Sequence, residues 1–279
     1  MRADLHLHTN ASDGALSPQA LVFKAAKEGF ELIAVTDHDT VAGVEEARDA
    51  ARQYGIGFIT GAEFSCGRQG ETHVLGYGMD ISNPALLSFF ETRGDQRIRR
   101  AEKMVERLCE IGKTISMDRV RELAGGVIGR PHVAAALCEA GHASSMSDAF
   151  TRFLTPGRPG YVEKEIVTVA QAIEIIENAG GVAVLAHPME LKKGDMAIEA
   201  LVHEWKGQGL TGVEVYHPSA QNNHASFLLH LAQRENMLVT GGSDFHGEAV
   251  RKTEIGEGLD RWRSVEDDVR ALLARIQRR

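Results

Sequence analysis

Ala3-Asp4-Leu5-His6-Leu7-His8 is the stretch on which the reading of this chain turns. Apolar and polar residues alternate in it with the period of a β-strand, which puts His6 and His8 on one face. Ser17-Pro18 then supplies an N-cap and a proline at the first helical position, and the helix is expected to stop at Gly29. A strand ending in imidazoles and followed by a helix is one β/α unit. The pattern repeats outward. Leu32–Thr36 reads as a buried strand, and a helix from about Thr40 to Tyr54 closes at Gly55. Gly57–Phe64 and Thr72–Tyr77 read as two further strands.

From Pro84 to about Gly141 the spacing is helical, carried by Leu86, Leu87, Phe90, Ile98, Val105 and Leu108 and later by Val133 to Cys138. The loop Thr155-Pro156-Gly157-Arg158-Pro159-Gly160 closes this stretch. Alternation then resumes. Thr168-Val169-Ala170-Gln171 is a capping box, its helix ends at Gly180-Gly181, and Val182–Ala186, Gly212–Tyr216 and Met237–Thr240 read as strands. The simplest architecture is an α/β barrel over residues 1–80 and 162–279, interrupted by a helical insertion at 81–161 that would serve as a substrate lid.

Composition excludes several classes. The 279 residues are 43% hydrophobic and 25% charged, as in a globular protein able to bury a large core. No apolar run nears the roughly 18 residues of a membrane helix, and the N-terminus lacks a signal-peptide stretch, so a cytoplasmic protein is expected. Three cysteines, Cys66, Cys109 and Cys138, without a CxxC pair argue against a disulfide framework or a thiolate zinc site. The formal charge of −8 speaks against bulk attraction of long nucleic acid. Yet Ala85–Tyr161 holds 12 Lys and Arg against 9 Asp and Glu, so the charge is unevenly spread.

The twelve histidines matter by position. His6, His8 and Asp13 follow the first strand, His38 the second, Glu63 and His73 come from the third and fourth, His187 follows the fifth, and Asp244 and His246 the seventh. Parallel strands with helical crossovers would aim all these ends at one face, where barrel active sites form. One His-x-His is weak evidence; nine such groups after six strands point to a metal site. Their nitrogen and oxygen donors suit Mn²⁺, Fe²⁺ or Zn²⁺ in a hydrolytic centre.

The order His6-x-His8, Asp37-His38, Glu63, His73, His187-Pro188, Asp244-x-His246 resembles the PHP (polymerase and histidinol phosphatase) superfamily over the whole chain. Ile128-Gly129-Arg130-Pro131-His132-Val133 resembles the subgroup acting on nucleoside 3′,5′-bisphosphates and short RNA 5′ ends. The resemblance implies a distorted (β/α)7, TIM-like barrel with three divalent metals, Mn²⁺ foremost. One metal would take His6, His8, Glu63 and Asp244; a second Glu63, His73 and His187, with Glu63 bridging; a third Asp13, His38 and His246. Three carboxylates against three divalent ions leave +3, which favours a phosphate dianion. The implied activity is hydrolysis of the 3′-phosphate of nucleoside 3′,5′-bisphosphates by a metal-activated hydroxide, releasing phosphate. The alternative is 5′→3′ exoribonuclease action on short RNA. Histidinol phosphatase uses similar ligands, but the Gly129-Arg130-Pro131-His132 insertion speaks against it.

For substrate contacts the reading takes Arg130 first, because guanidinium forks match phosphate oxygens, then His132 and Arg158. His217, Asn222 and His224 could touch base or ribose, or protonate the leaving oxygen, with His217 the general-acid candidate beside Glu63 and Asp244. His73 has the alternative of a packed core histidine. Asp37 and Asp39 read as groups that orient ligands or cap a helix, and Arg93, Arg97, Arg99 and Arg100 as a solvated helix face, with an RNA contact as the alternative. No stable protein partner and no membrane contact are expected.

Overall fold

The computed structural model describes residues 1–67, 72–124, 126–247, 250 and 252–278, with the Asn222 side chain also outside the description. Two compact units emerge: Met1–Phe89 with Val167–Arg279, and Phe90–Ile166.

The first unit is built on seven strands hydrogen-bonded in sequence order: β1 (Ala3–Leu7), β2 (Leu32–Val35), β3 (Gly57–Cys66), β4 (Thr72–Tyr77), β5 (Val182–Leu185), β6 (Gly212–Tyr216) and β7 (Leu238–Gly241). A parallel bridge from Leu7 to Phe245 brings the last segment back to the first, so the sheet is a nearly closed α/β barrel. β2 and β5 are buried at every residue, as their unbroken Leu, Ile, Ala and Val require. Helices α1 (Pro18–Lys27) and α2 (Val44–Tyr54) cover one side. Ser17 Oγ accepts from the Ala20 amide, and Leu21, Val22 and Ala25 turn inward against Ile33, Val35 and Ala47.

One strand departs from the expected all-parallel order. β4 is antiparallel to both β3 and β5. The linker between β3 and β4 spans only residues 67–71, too short for a crossover helix, so the chain must reverse. This reversal still serves the site. His73 stands at the start of β4, not after its end, and the reversed direction delivers it to the face where the parallel strands finish.

The second unit is helical: most of α3 (Pro84–Glu110), then α4 (Met117–Ala124), α5 (Arg130–Glu139), α6 (Met146–Ala149) and a π-helical turn at Phe150–Leu154. Met104, Leu108, Val120, Val133, Leu137, Phe153 and Leu154 form its own core. After it the chain re-enters the barrel through α7 (Val169–Asn178), whose Thr168 and Gln171 make the expected capping box. α8 (Asp195–Lys206), α9 (Asn222–Arg234) and α10 (Val265–Ile276) complete the first unit.

Candidate metal centre

β1 presents His6 and His8 fully buried on one face. β7 ends beside them. Gly242 comes so close that an added Cβ would lie 2.1 Å from the His6 Cβ, so only glycine allows this approach. The Asp244 amide then donates to the His6 carbonyl, which sets the Asp244 side chain against the same imidazoles. His187 and Asp244 both adopt positive φ, 25° and 53°, a strained backbone confined to few non-glycine residues and here placed at the site.

Three donor groups result. His8 Nε2 lies 3.1 Å from Asp244 Oδ1 and 3.3 Å from Glu63 Oε2, and His6 Nε2 lies 3.4 Å from that Glu63 oxygen. The ligand atoms of His6, His8, Glu63 and Asp244 all fall within 4.8 Å of one another. On the other side of the same carboxylate, Glu63 Oε1 is 2.7 Å from His73 Nδ1 and 2.9 Å from His187 Nε2. The third group joins Asp13, His38 and His246: His246 Nε2 is 3.3 Å from Asp13 Oδ1 and His38 Nε2 is 3.7 Å from Asp13 Oδ2. All nine expected residues therefore converge. The grouping is more interlocked than expected, because His8 also faces the Asp13 group and His38 also faces Glu63 and His73. A further trio, Glu190, His217 and Asp244, adjoins them.

The charges are strongly coupled. Burial pushes the Glu63 carboxyl up, but His73, His38 and His6 outweigh it and hold Glu63 well below the usual carboxylate range. Burial likewise opposes a charged His8, yet Asp244 and Glu63 raise it to about 10. Burial also raises Asp13, and His38, His246 and His8 more than reverse that. His6 Nε2, His8 Nδ1 and Nε2, His38 Nδ1, Glu63 Oε2 and His246 Nε2 are buried without a hydrogen-bond partner. Buried polar atoms left in this way are costly unless a cation completes them. Donors of nitrogen and carboxylate oxygen, with no thiolate among them, fit divalent transition ions. Cys66, near Glu63 in sequence, is buried with its thiol turned to the Phe64 carbonyl.

Supporting carboxylates hold the ligands. Glu214, fully buried on β6, accepts from His6 Nδ1 at 3.0 Å and from the His187 amide at 2.7 Å. The bond fixes the His6 proton on Nδ1 and frees Nε2 for a metal. Sequence reasoning missed Glu214; the available signal was one acid in an otherwise apolar strand, Gly212-Val213-Glu214-Val215-Tyr216. Asp37 accepts from the Thr9 amide, the Thr9 hydroxyl and the Ser12 hydroxyl, and so shapes the loop that carries Asp13. Asp39 accepts from the Ser65 amide. Asp4 accepts from the Ser243 and Gly256 amides and anchors the segment bearing Asp244.

Of the expected substrate contacts, His217 stands at the centre. It is 2% exposed, and its Nε2 lies 3.9 Å from Asp244 Oδ2. The Ser219 amide donates to His217 Nδ1, so the neutral ring carries its proton on Nε2, the atom facing Asp244. His224 is half-buried in the first turn of α9, while the Asn222 side chain lies outside the described residues. Arg130, His132 and Arg158 belong to the second unit. Arg130 donates to the Leu154 carbonyl, His132 Nδ1 accepts the Gly129 amide and so caps α5, and Arg158 is exposed. Among the described residues no helix is long and apolar enough to cross a membrane.

The chain is similar to several known proteins. A family model described as the PHP domain covers residues 4–154. The chain is 36% identical over 247 residues to the 5′-3′ exoribonuclease Rnm of Escherichia coli, spanning 87% of this chain and 84% of that one. It is 35% identical over 265 residues to the 3′,5′-nucleoside bisphosphate phosphatase of Chromobacterium violaceum, spanning 92% and 91%. A crystal structure of a candidate metal-dependent phosphoesterase from Bifidobacterium adolescentis superposes with a TM-score of 0.83 at 34% identity, covering 99% of this chain and 96% of the other.

Proposed function

The chain belongs to the PHP domain family and is a phosphoesterase, and from that premise we propose that it removes the 3′-phosphate of nucleoside 3′,5′-bisphosphates. The convergence of nine imidazole and carboxylate groups around the shared Glu63 carries this reading. His6, His8, Glu63 and Asp244 would hold one divalent ion; Glu63, His73 and His187 a second; Asp13, His38 and His246 a third. Manganese is the proposed ion. When bound, the ions supply Lewis acidity towards the phosphate and acidify the attacking water.

The chain's own residues do the rest. Glu214 and Asp37 keep His6 and the Asp13 loop in place through the bonds described above. His217 is assigned as the general acid: in its imidazolium form it would give the Nε2 proton to the departing ribose oxygen and return to the neutral ring, with Asp244 facing that nitrogen. Arg130, His132, Arg158, Asn222 and His224 are assigned to substrate contact in the same proposal, and residues 81–161 to a substrate-covering role. A cytoplasmic setting, where Cys66, Cys109 and Cys138 stay as thiols, also belongs to it.

The 36% identity to an exoribonuclease supports a second reading, 5′→3′ trimming of short RNA with the same centre. Kinetics on a nucleoside 3′,5′-bisphosphate, a nucleoside 5′-monophosphate and a 5′-phosphorylated trinucleotide, with Mn²⁺ supplied, separate the two. The bisphosphate is expected to give the highest kcat/KM with release of inorganic phosphate. A higher value on the trinucleotide assigns the chain to RNA, and no turnover on any of the three overturns both readings.

A further inference from the structure

Tyr216 ends β6, and the turn at residues 217–220 leads from it towards α9. Within this turn the Ala220 amide donates to the His217 carbonyl at 2.9 Å, and the Ser219 amide donates to His217 Nδ1 at 3.0 Å. The imidazole is thus tied to its own backbone, and the direction of the ring follows the turn. His217 Nε2 is buried, makes no hydrogen bond and faces Asp244 Oδ2 at 3.9 Å. What holds the turn therefore decides where that nitrogen points.

The irregular segment before α10 grips it at three points. Gly258 stands at a φ of 78°, and a Cβ there would lie 2.8 Å from the Pro218 nitrogen and 3.0 Å from the His217 carbonyl carbon. Both the positive φ and the contact with backbone favour glycine at this place. Arg261 Nη2 donates to the Ala220 carbonyl at 2.9 Å. Trp262, 5% exposed, stacks on Tyr216 with ring centres 5.7 Å apart, and its indole N–H donates to Asp268 in α10. Two residues before Gly258, the Gly256 amide donates to Asp4, the same carboxylate that accepts from the Ser243 amide beside Asp244. One segment thus joins the His217 turn to the backbone that presents Asp244.

We propose that Gly258 and Arg261 are positioning residues, which clamp the turn at 217–220 and so aim His217 Nε2 at the departing oxygen. The proposal rests on the general-acid assignment of His217. A displacement of about 1 Å at a reacting group can cost up to about 10²-fold in rate, even when its cause is remote. Neither glycine nor arginine ligates a divalent ion. Loosening the clamp should therefore lower kcat while bound metal and KM stay near those of the wild type.

A double-mutant cycle in the full-length enzyme supplied with Mn²⁺ separates positioning from support of the fold. Turnover is followed on whichever of the bisphosphate, the 5′-monophosphate and the trinucleotide reacts fastest. His217→Asn is expected to lower kcat at least about 10²-fold, and Arg261→Met about tenfold. In the His217→Asn background, Arg261→Met should cost nothing further, because the ring it aims is gone. Arg261→Lys keeps a donor for the Ala220 carbonyl and should recover part of kcat. Gly258→Ala should repeat the loss and its non-additivity, and it serves should Arg261→Met fail to fold. Arg263→Met, at an exposed neighbour, should leave kcat unchanged. Equal losses in the two backgrounds, a fall in bound metal, or wild-type kcat in both Arg261→Met and Gly258→Ala overturns the clamp and leaves the general-acid assignment standing. Near-wild-type kcat in His217→Asn overturns that assignment, and the clamp with it.

Discussion

Asp244 and His38 sit at the two flanks of the centre, one on the strained segment after β7 and one facing both Asp13 and Glu63. Replacing either by Asn is expected to lower kcat at least about 10²-fold in the metal-supplied enzyme, because a carboxylate or imidazole donor is lost. Steady-state kinetics with measured metal content check this; near-wild-type kcat would remove the residue from the centre. Glu214 acts at one remove. Glu214→Gln keeps the size of the side chain but loses the carboxylate that fixes His6, so metal affinity should fall about 10- to 100-fold. Competition with a chelator measures that fall, and excess metal should restore kcat if Glu214 only positions. The convergence of the candidate histidines was legible because they recur at strand ends, a pattern chance does not give. Glu214 was not. A lone acid in an apolar strand gains meaning only when another strand brings His6 to 3.0 Å from it.

Strands and their turns set how tightly those residues can meet. β7 reaches β1 only because Gly242 has no side chain where His6 stands. Gly242→Ala should force the two segments apart, costing about 1–3 kcal/mol of stability, with a parallel loss of bound metal. Denaturant unfolding and metal analysis on the same sample check both; unchanged stability would mean the barrel seam yields without cost. Strand identities could be read from their apolar runs, and β1, β2, β5 and β6 fall close to where alternation and length put them. The direction of β4 could not. Side-chain pattern is the same for a strand run either way, and only the short linker before Thr72 carries the information. The inward turn of Arg93 was hidden for a related reason, since arginine at helical spacing reads as surface until packing places it.

For the molecule as a whole, the centre links metal, protons and stability. In the metal-free protein His8 is held at about 10 against an ordinary value of 6.5. A raised histidine adds stability that is complete below its unfolded value and is lost as pH climbs through the folded one. The metal-free protein should therefore lose Tm progressively between about pH 6.5 and 10. Divalent ions replace those protons, so the metal-loaded protein should hold its Tm over that window, and uptake should release protons and tighten with rising pH. Thermal melts with and without chelator, and titrations in buffers of different ionisation enthalpy, test this. Parallel melting curves in the two states would break the linkage. The barrel with its helical interruption was legible at this scale, because β/α alternation stops after Gly78 and resumes at Thr168.

Glu63 turns one oxygen towards His73 and His187 and the other towards His6, His8 and His38. A single side chain thus acts as a hinge pin between neighbouring compartments. Loading of the ions should consequently be cooperative, with no half-filled species persisting at equilibrium, and a lesion at position 63 should empty the ensemble at once where loss of any peripheral donor only thins it.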